Sequence, residues 1–97
     1  MIRSFKNAGT EGIFNGKNTS AARRVCPQQL WRIAARKLDQ LDSVVALDEL
    51  SIPPGNRLEA LSGDRAGQYS IRINEQYRVC FNWTDLLPDD VEIVEYH

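Results

Sequence analysis

At 97 residues, with 42% hydrophobic and 26% charged side chains, the chain has the composition of an ordinary globular protein and room for one modest core. No apolar run reaches membrane-spanning length, and the opening MIRSFKNAGTEG lacks the apolar stretch of a signal peptide. The net charge of −1 is unevenly spread: residues 1–37 carry +7, residues 38–56 carry −4, residues 57–83 carry +1 and residues 84–97 carry −5.

A single domain over residues 1–97, without a membrane contact and in the cytoplasm, is therefore expected. The basic N-terminal third offers a face for a polyanion, or one that the acidic C-terminal segment neutralises on folding. Cys26, Cys80 and the lone His97 fit no metal-ligand spacing, so neither metal nor cofactor is expected. Both thiols read as small packing residues in a reducing compartment.

In chain order, Ile2–Phe5 predicts a short first strand. Residues 7–20 are rich in Gly, Asn, Thr and Ser, with one helical turn that Thr10 caps, and are expected to be the least ordered stretch. Pro27 suits the first turn of a helix in which Leu30, Ala34, Leu38 and Leu41 recur at helical spacing, widened by Ile33. Arg32, Arg36 and Lys37 fall on its solvent side. Ser43 can cap a second short helix over residues 44–50, which Pro53-Pro54-Gly55-Asn56 ends in an extended loop.

Residues 57–61 predict a strand, followed by a glycine-bounded turn over residues 62–67. Tyr69–Ile73 and Tyr77–Trp83 then alternate apolar and polar residues with period two, the mark of half-buried strands. A three-residue loop, Asn74–Gln76, keeps the faces consistent: Ile73 opposite Tyr77, Ile71 opposite Val79, Tyr69 opposite Phe81. The other face then sets Arg72 opposite Arg78, Ser70 opposite Cys80 and Gln68 opposite Asn82. Two facing arginines repel unless both reach water or an anion lies between them. Residues 85–90 predict a turn, and residues 91–97 the last strand. The class is α+β: an N-terminal strand and two helices packed on an antiparallel β-meander.

Three features carry chemistry. They are Arg72 and Arg78, with Arg57 and Arg65 near their approaches; the adjacent titratable pair Tyr96-His97; and the carboxylate Glu59. Metal-free RNA cleavage needs a base for the 2′-OH proton, an acid for the leaving 5′ oxygen and cations around the phosphorane. His, Tyr and Glu can fill the first two roles and arginines the third.

The stretch PPGNRLEALSGDRAGQYSIRINEQYRVCFNW, with the tail VEIVEYH and the opening MIRSFKNAGTEGIF, resembles the HigB branch of the RelE/ParE toxin superfamily. The tail carries Glu where that branch has Asp. The resemblance implies a bacterial type II toxin inhibited by a cognate HigA-like helix-turn-helix antitoxin, through which the complex binds operator DNA. It further implies metal-independent cleavage of mRNA in the A site of the 70S ribosome, leaving a 2′,3′-cyclic phosphate.

By residue, Tyr96 and His97 match the terminal active-site pair and Arg78 the arginine of the scissile phosphate. Arg65 and Arg72 match recurrent basic positions of the same surface. Some active relatives carry His and Lys where this chain has Glu59 and Ser62, which implies a weaker ribonuclease. In it His97, favoured as the cation by the neighbouring α-carboxylate, acts as the acid and Tyr96 stacks on or orients the base. Arg57, Arg32 and Arg36 join the basic residues expected to meet RNA phosphate. Two other readings stay open: a gyrase-poisoning ParE-like toxin, and a module that binds ribosome or antitoxin with little catalysis.

Overall fold

The computed structural model describes residues 1–52 and 54–96; the expectations placed on Pro53 and His97 lie outside them. Three helices, α1 (Ala8–Phe14), α2 (Ser20–Val25) and α3 (Trp31–Ser43), precede an antiparallel sheet of β1 (Glu59–Ala60), β2 (Gln68–Arg72), β3 (Tyr77–Thr84) and β4 (Leu87–Glu95). The strands lie side by side in chain order, β1-β2-β3-β4. The α+β meander expected from the sequence is the observed class.

The central hairpin has the register that facing residues dictated. Gln68, Tyr69, Ser70, Ile71 and Arg72 stand opposite Asn82, Phe81, Cys80, Val79 and Arg78. Asn74 builds the loop: its Oδ1 accepts from the backbone N–H groups of Gln76 and Tyr77, both at 2.8 Å. A short polar side chain thus supplies the turn that the backbone alone would leave open.

One face of the sheet is the core. Ile71, Val79, Phe81 and Val91 are fully buried together with Ala34, Leu38 and Leu41 of α3. Each such leucine contributes about 2 kcal/mol by leaving water, and the apolar stripe of α3 selects which side of the helix meets the sheet. Arg32 and Arg36 are thereby held on its exposed side. The Trp31 indole N–H donates to the Cys26 carbonyl at 3.1 Å and fixes the entry to α3.

The N-terminal half departs from expectation in several ways. Residues 2–5 make no strand, only a parallel bridge of Phe5 to Val91, with Arg3 N–H donating to the Pro88 carbonyl at 2.8 Å. Residues 7–20 are not loose: α1 is capped by Asn7, whose Oδ1 accepts from Thr10 N–H at 2.8 Å. Thr10 is no cap. It is fully buried, and its hydroxyl accepts from Ile93 N–H at 3.0 Å, tying α1 to β4.

The second helix is α2, capped by Thr19, and not residues 44–50, where the structure has only a 3-10 turn at Leu47–Ser51. Glu49 closes that turn by accepting from Val45 and Ala46 N–H, while Ser43 ends α3 and donates to the Asp39 carbonyl. Gly9 explains why α1 and α2 lie so close. A Cβ there would strike Val25 and come within 2.5 Å of the Ala21 carbonyl oxygen.

Further on, residues 54–56 are a 3-10 turn rather than an extended loop, anchored by the buried Asn56. Asn56 accepts from Lys37 Nζ at 2.5 Å and donates to Gln40 Oε1 and the Leu50 carbonyl. Of the strand expected over 57–61, Glu59 and Ala60 form the ladder with β2, and Leu61 N–H still donates to the Gln68 carbonyl at 2.8 Å. β4 starts four residues earlier than expected because Asp85 and Leu86 both take positive φ, closing a tight turn that sets Leu87 opposite Thr84. No Asn-Gly or Asp-Gly signal announced it. No helix of the described residues is long and apolar enough to cross a membrane.

Candidate active site

On the face of the sheet turned away from α3, a groove of about 440 Å³ is lined by Arg57, Glu59, Arg72, Asn74, Glu75, Arg78 and Tyr96. Five of the site residues read from the sequence meet here: Arg57, Glu59, Arg72, Arg78 and Tyr96. They come from the approach to β1, from β1, β2 and β3, and from the end of β4. The groove therefore exists only once the meander has formed.

Arg78 is its centre and is 8% exposed. Its Nε donates to Ser70 Oγ at 2.8 Å, and its Nη2 donates to the Arg57 carbonyl at 2.6 Å and more weakly to the Ser70 carbonyl at 3.5 Å. The Glu59 carboxylate, whose side chain is 54% exposed, stands 3.9 Å from Nη2, an ion pair beyond hydrogen-bond length. The Tyr96 ring lies 5.8 Å from the guanidinium carbon, in cation–π range.

The two facing arginines are resolved by neither simple expectation. Arg78 has left water and is bonded chiefly by neutral groups. Arg72 is half-buried, and its side chain makes no hydrogen bond or ion pair among the described residues. A buried guanidinium with an unpaired neighbour leaves net positive potential in a partly closed site, which an anion relieves.

The remaining sequence candidates lie elsewhere. Arg65 shares this face of the sheet but is taken up by Gln68 at 3.0 Å and by Glu92 at 3.4 Å. Lys6 also pairs with Glu92, at 3.2 Å, and Arg3 with Asp85, at 3.5 Å. The acidic C-terminal segment thus neutralises part of the N-terminal excess. Arg32 and Arg36 sit on the exposed side of α3, across the sheet from the groove. Ser62 precedes the 3-10 turn Gly63–Arg65 and does not line the groove.

Two groove residues, and one residue beneath the groove, escaped the sequence reading. Asn74 and Glu75 belong to the hairpin loop, and Ser70 holds Arg78 from beneath. The register already put Ser70 on the face of Arg78, but it gave no sign that the face would be buried. Burial pushes the Cys26 thiol up to about 11 and raises Cys80 as well, so both remain protonated packing groups. Among the described residues no group of three His, Cys, Asp or Glu side chains is placed to hold a metal ion.

Comparison with known proteins bears on this geometry. Residues 3–97 match the family model of the HigB-like toxin, described as the RelE-like toxin of type II toxin–antitoxin system HigB. Toxin HigB-1 of Vibrio cholerae serotype O1 is 47% identical over 85 residues, covering 88% of this chain and 86% of that protein. An uncharacterised protein of Haemophilus influenzae is 39% identical over 57 residues, 59% of this chain and 56% of its own. Among solved structures, a chain of the YoeB-YefM complex from Staphylococcus aureus superposes with a TM-score of 0.54 at 15% identity, over 100% of this chain and 98% of that one. That likeness establishes a RelE-like α+β fold. With the family match running nearly from end to end, the chain belongs to the HigB-like toxins, the RelE-like toxins of type II toxin–antitoxin systems.

Proposed function

We propose that this toxin is a metal-independent endoribonuclease that cuts mRNA in the ribosomal A site. The observation that carries it is the convergence of Arg57, Arg72 and Arg78 with Glu59 and Tyr96 in one groove. In the reaction, Glu59 takes the 2′-OH proton as the 2′ oxygen bonds to phosphorus. The bond from phosphorus to the 5′ oxygen breaks, and His97 protonates the leaving oxygen. The products are a 2′,3′-cyclic phosphate and a 5′-hydroxyl. Arg78, with Arg72 and Arg57 beside it, binds the phosphate and stabilises the charge of the phosphorane. Tyr96 offers its ring to the adjacent base.

Arg65, partly committed to Glu92, adds positive potential next to the groove. Arg32 and Arg36 contact RNA phosphate at a distance from the cut. The partners are the ribosome with its mRNA and a helix-turn-helix antitoxin that also carries the complex to operator DNA, all in the cytoplasm. A second reading, ribosome or antitoxin binding with little catalysis, draws on one observation: a carboxylate stands 3.9 Å from Arg78, and it weakens the field a phosphate feels.

The test is induced expression of wild type, Arg78→Ala and a Tyr96→Ala/His97→Ala double variant, mapping mRNA 5′ ends in each. Ribosome-dependent, in-frame cuts that vanish in both variants are expected. Translation still blocked by the double variant, with no cuts in any strain, selects the binding module. DNA breaks with intact mRNA select a gyrase poison.

A further inference from the structure

We propose that Ser70 is a positioning residue for Arg78, a role that rests on the endoribonuclease reading above. Ser70 is fully buried, and its hydroxyl accepts from Arg78 Nε at 2.8 Å. It stands opposite Cys80, so Arg78 reaches it along the diagonal of the β2–β3 ladder, within range of a long side chain. The second anchor is the Arg57 carbonyl, 2.6 Å from Nη2. Arg57 takes φ +46°, a left-handed conformation uncommon for a side chain of its size.

Together these anchors use the Nε and Nη2 donors. No partner of Nη1 is found among the described residues, yet Nη1 is not a sealed, unsatisfied atom. It is the corner of the fork left for a ligand in the groove. The chemistry of the anchors matters as much as their geometry. A carboxylate at position 70 would orient the guanidinium equally well but neutralise it. A hydroxyl and two carbonyls hold the fork and leave its charge intact. The nearest described carboxylate, Glu59, is too far for a hydrogen bond. A buried cation held by neutral acceptors is costly on its own and is relieved by an anion. The arrangement is preorganisation: the phosphate meets a donor already aimed, and Ser70 is what aims it.

The role makes a specific demand on the arginine. Lysine carries neither Nε nor a planar fork, so the aiming of a guanidinium by Ser70 has nothing to act on when residue 78 is lysine. Full-length wild type, Ser70→Ala, Ser70→Thr, Arg78→Lys and the double variant Ser70→Ala/Arg78→Lys are compared in two measurements. One follows the Arg78 Nε–H resonance by nitrogen-15 NMR, identified by its loss in Arg78→Lys. The other follows cleavage of mRNA on programmed ribosomes.

In wild type the Nε proton is expected to exchange slowly and in Ser70→Ala to exchange with water too fast to observe. Ser70→Ala is expected to lower kcat about 100-fold, the scale of a misplaced catalytic group, with KM changed about twofold at most. Ser70→Thr keeps the hydroxyl and restores kcat to within about threefold of wild type. In the Arg78→Lys background, Ser70→Ala should cost about twofold at most. An unchanged Nε signal and unchanged kcat in Ser70→Ala, in a wild type that cuts RNA, overturns the positioning role alone. So does a full penalty that persists beside lysine. A wild type that cuts no mRNA overturns the nuclease reading beneath it.

Discussion

The two faces of the β2–β3 hairpin are built from alternate residues of the same strands and end in opposite states. On one, Ile71, Val79 and Phe81 pack against α3 and the face is complete in itself. On the other, Arg78 is nearly as buried, but among serine, carbonyls and a tyrosine ring, with the Glu59 carboxylate 3.9 Å away and beside it Arg72, whose side chain has no partner among the described residues. Apolar burial closes a surface. Burial of a charge among neutral acceptors leaves it waiting for an anion. The core face thus supplies the stability on which the strained, positive face is carried, and each substitution should show on one side of that division.

The largest effect belongs to the core. Phe81→Ala is expected to cost about 4 kcal/mol by leaving a cavity between sheet and helix, read as a fall in the urea midpoint. Gly9→Ala sharpens the same side. In an open helix the change would stabilise by about 1 kcal/mol, but here the methyl group meets Val25 and the Ala21 carbonyl. A loss of about 2 kcal/mol on thermal unfolding is expected instead.

Arg72→Ala is the converse on the groove face. It should lower RNA cleavage about tenfold, because a cation next to the phosphate is lost. Stability should stay level or rise by about 0.5 kcal/mol, since a like charge opposite Arg78 is removed. A matching fall in stability would make the two faces alike and break the comparison.

The smallest effect is titration at the rim where the N-terminal segment meets β4. The Ser4 hydroxyl donates to Asp89 and holds its carboxyl below the ordinary range. A depressed carboxyl contributes stability above its unfolded pKa and loses it as pH falls through the folded value. Acid unfolding below about pH 4 should therefore be shallower for Ser4→Ala than for wild type.

The sequence alone determined the hairpin and its register, because period-two alternation and the length of the Asn74 loop allow only one matching of faces. It also determined the apolar stripe of α3 and, through the resemblance of its motifs, the toxin family. Of the five groove residues named beforehand, alternation put only Arg72 and Arg78 on one face; Arg57, Glu59 and Tyr96 were named for their chemistry and through the resemblance, and no local pattern brought them to that face.

Packing decided the rest. Helix α2 and the ordering of residues 7–20 depend on Gly9 allowing two backbones to touch, and a glycine-rich stretch reads as loop when its partner is unknown. Thr10 reads as a cap until β4 offers it the Ile93 N–H. Arg65 reads as free until folding brings Glu92 to it. Above all, the state of Arg78 is a tertiary fact. Whether a charged side chain on a strand faces water or a buried serine depends on what the neighbouring strands and the Arg57 turn place over it, and no local pattern encodes that distance.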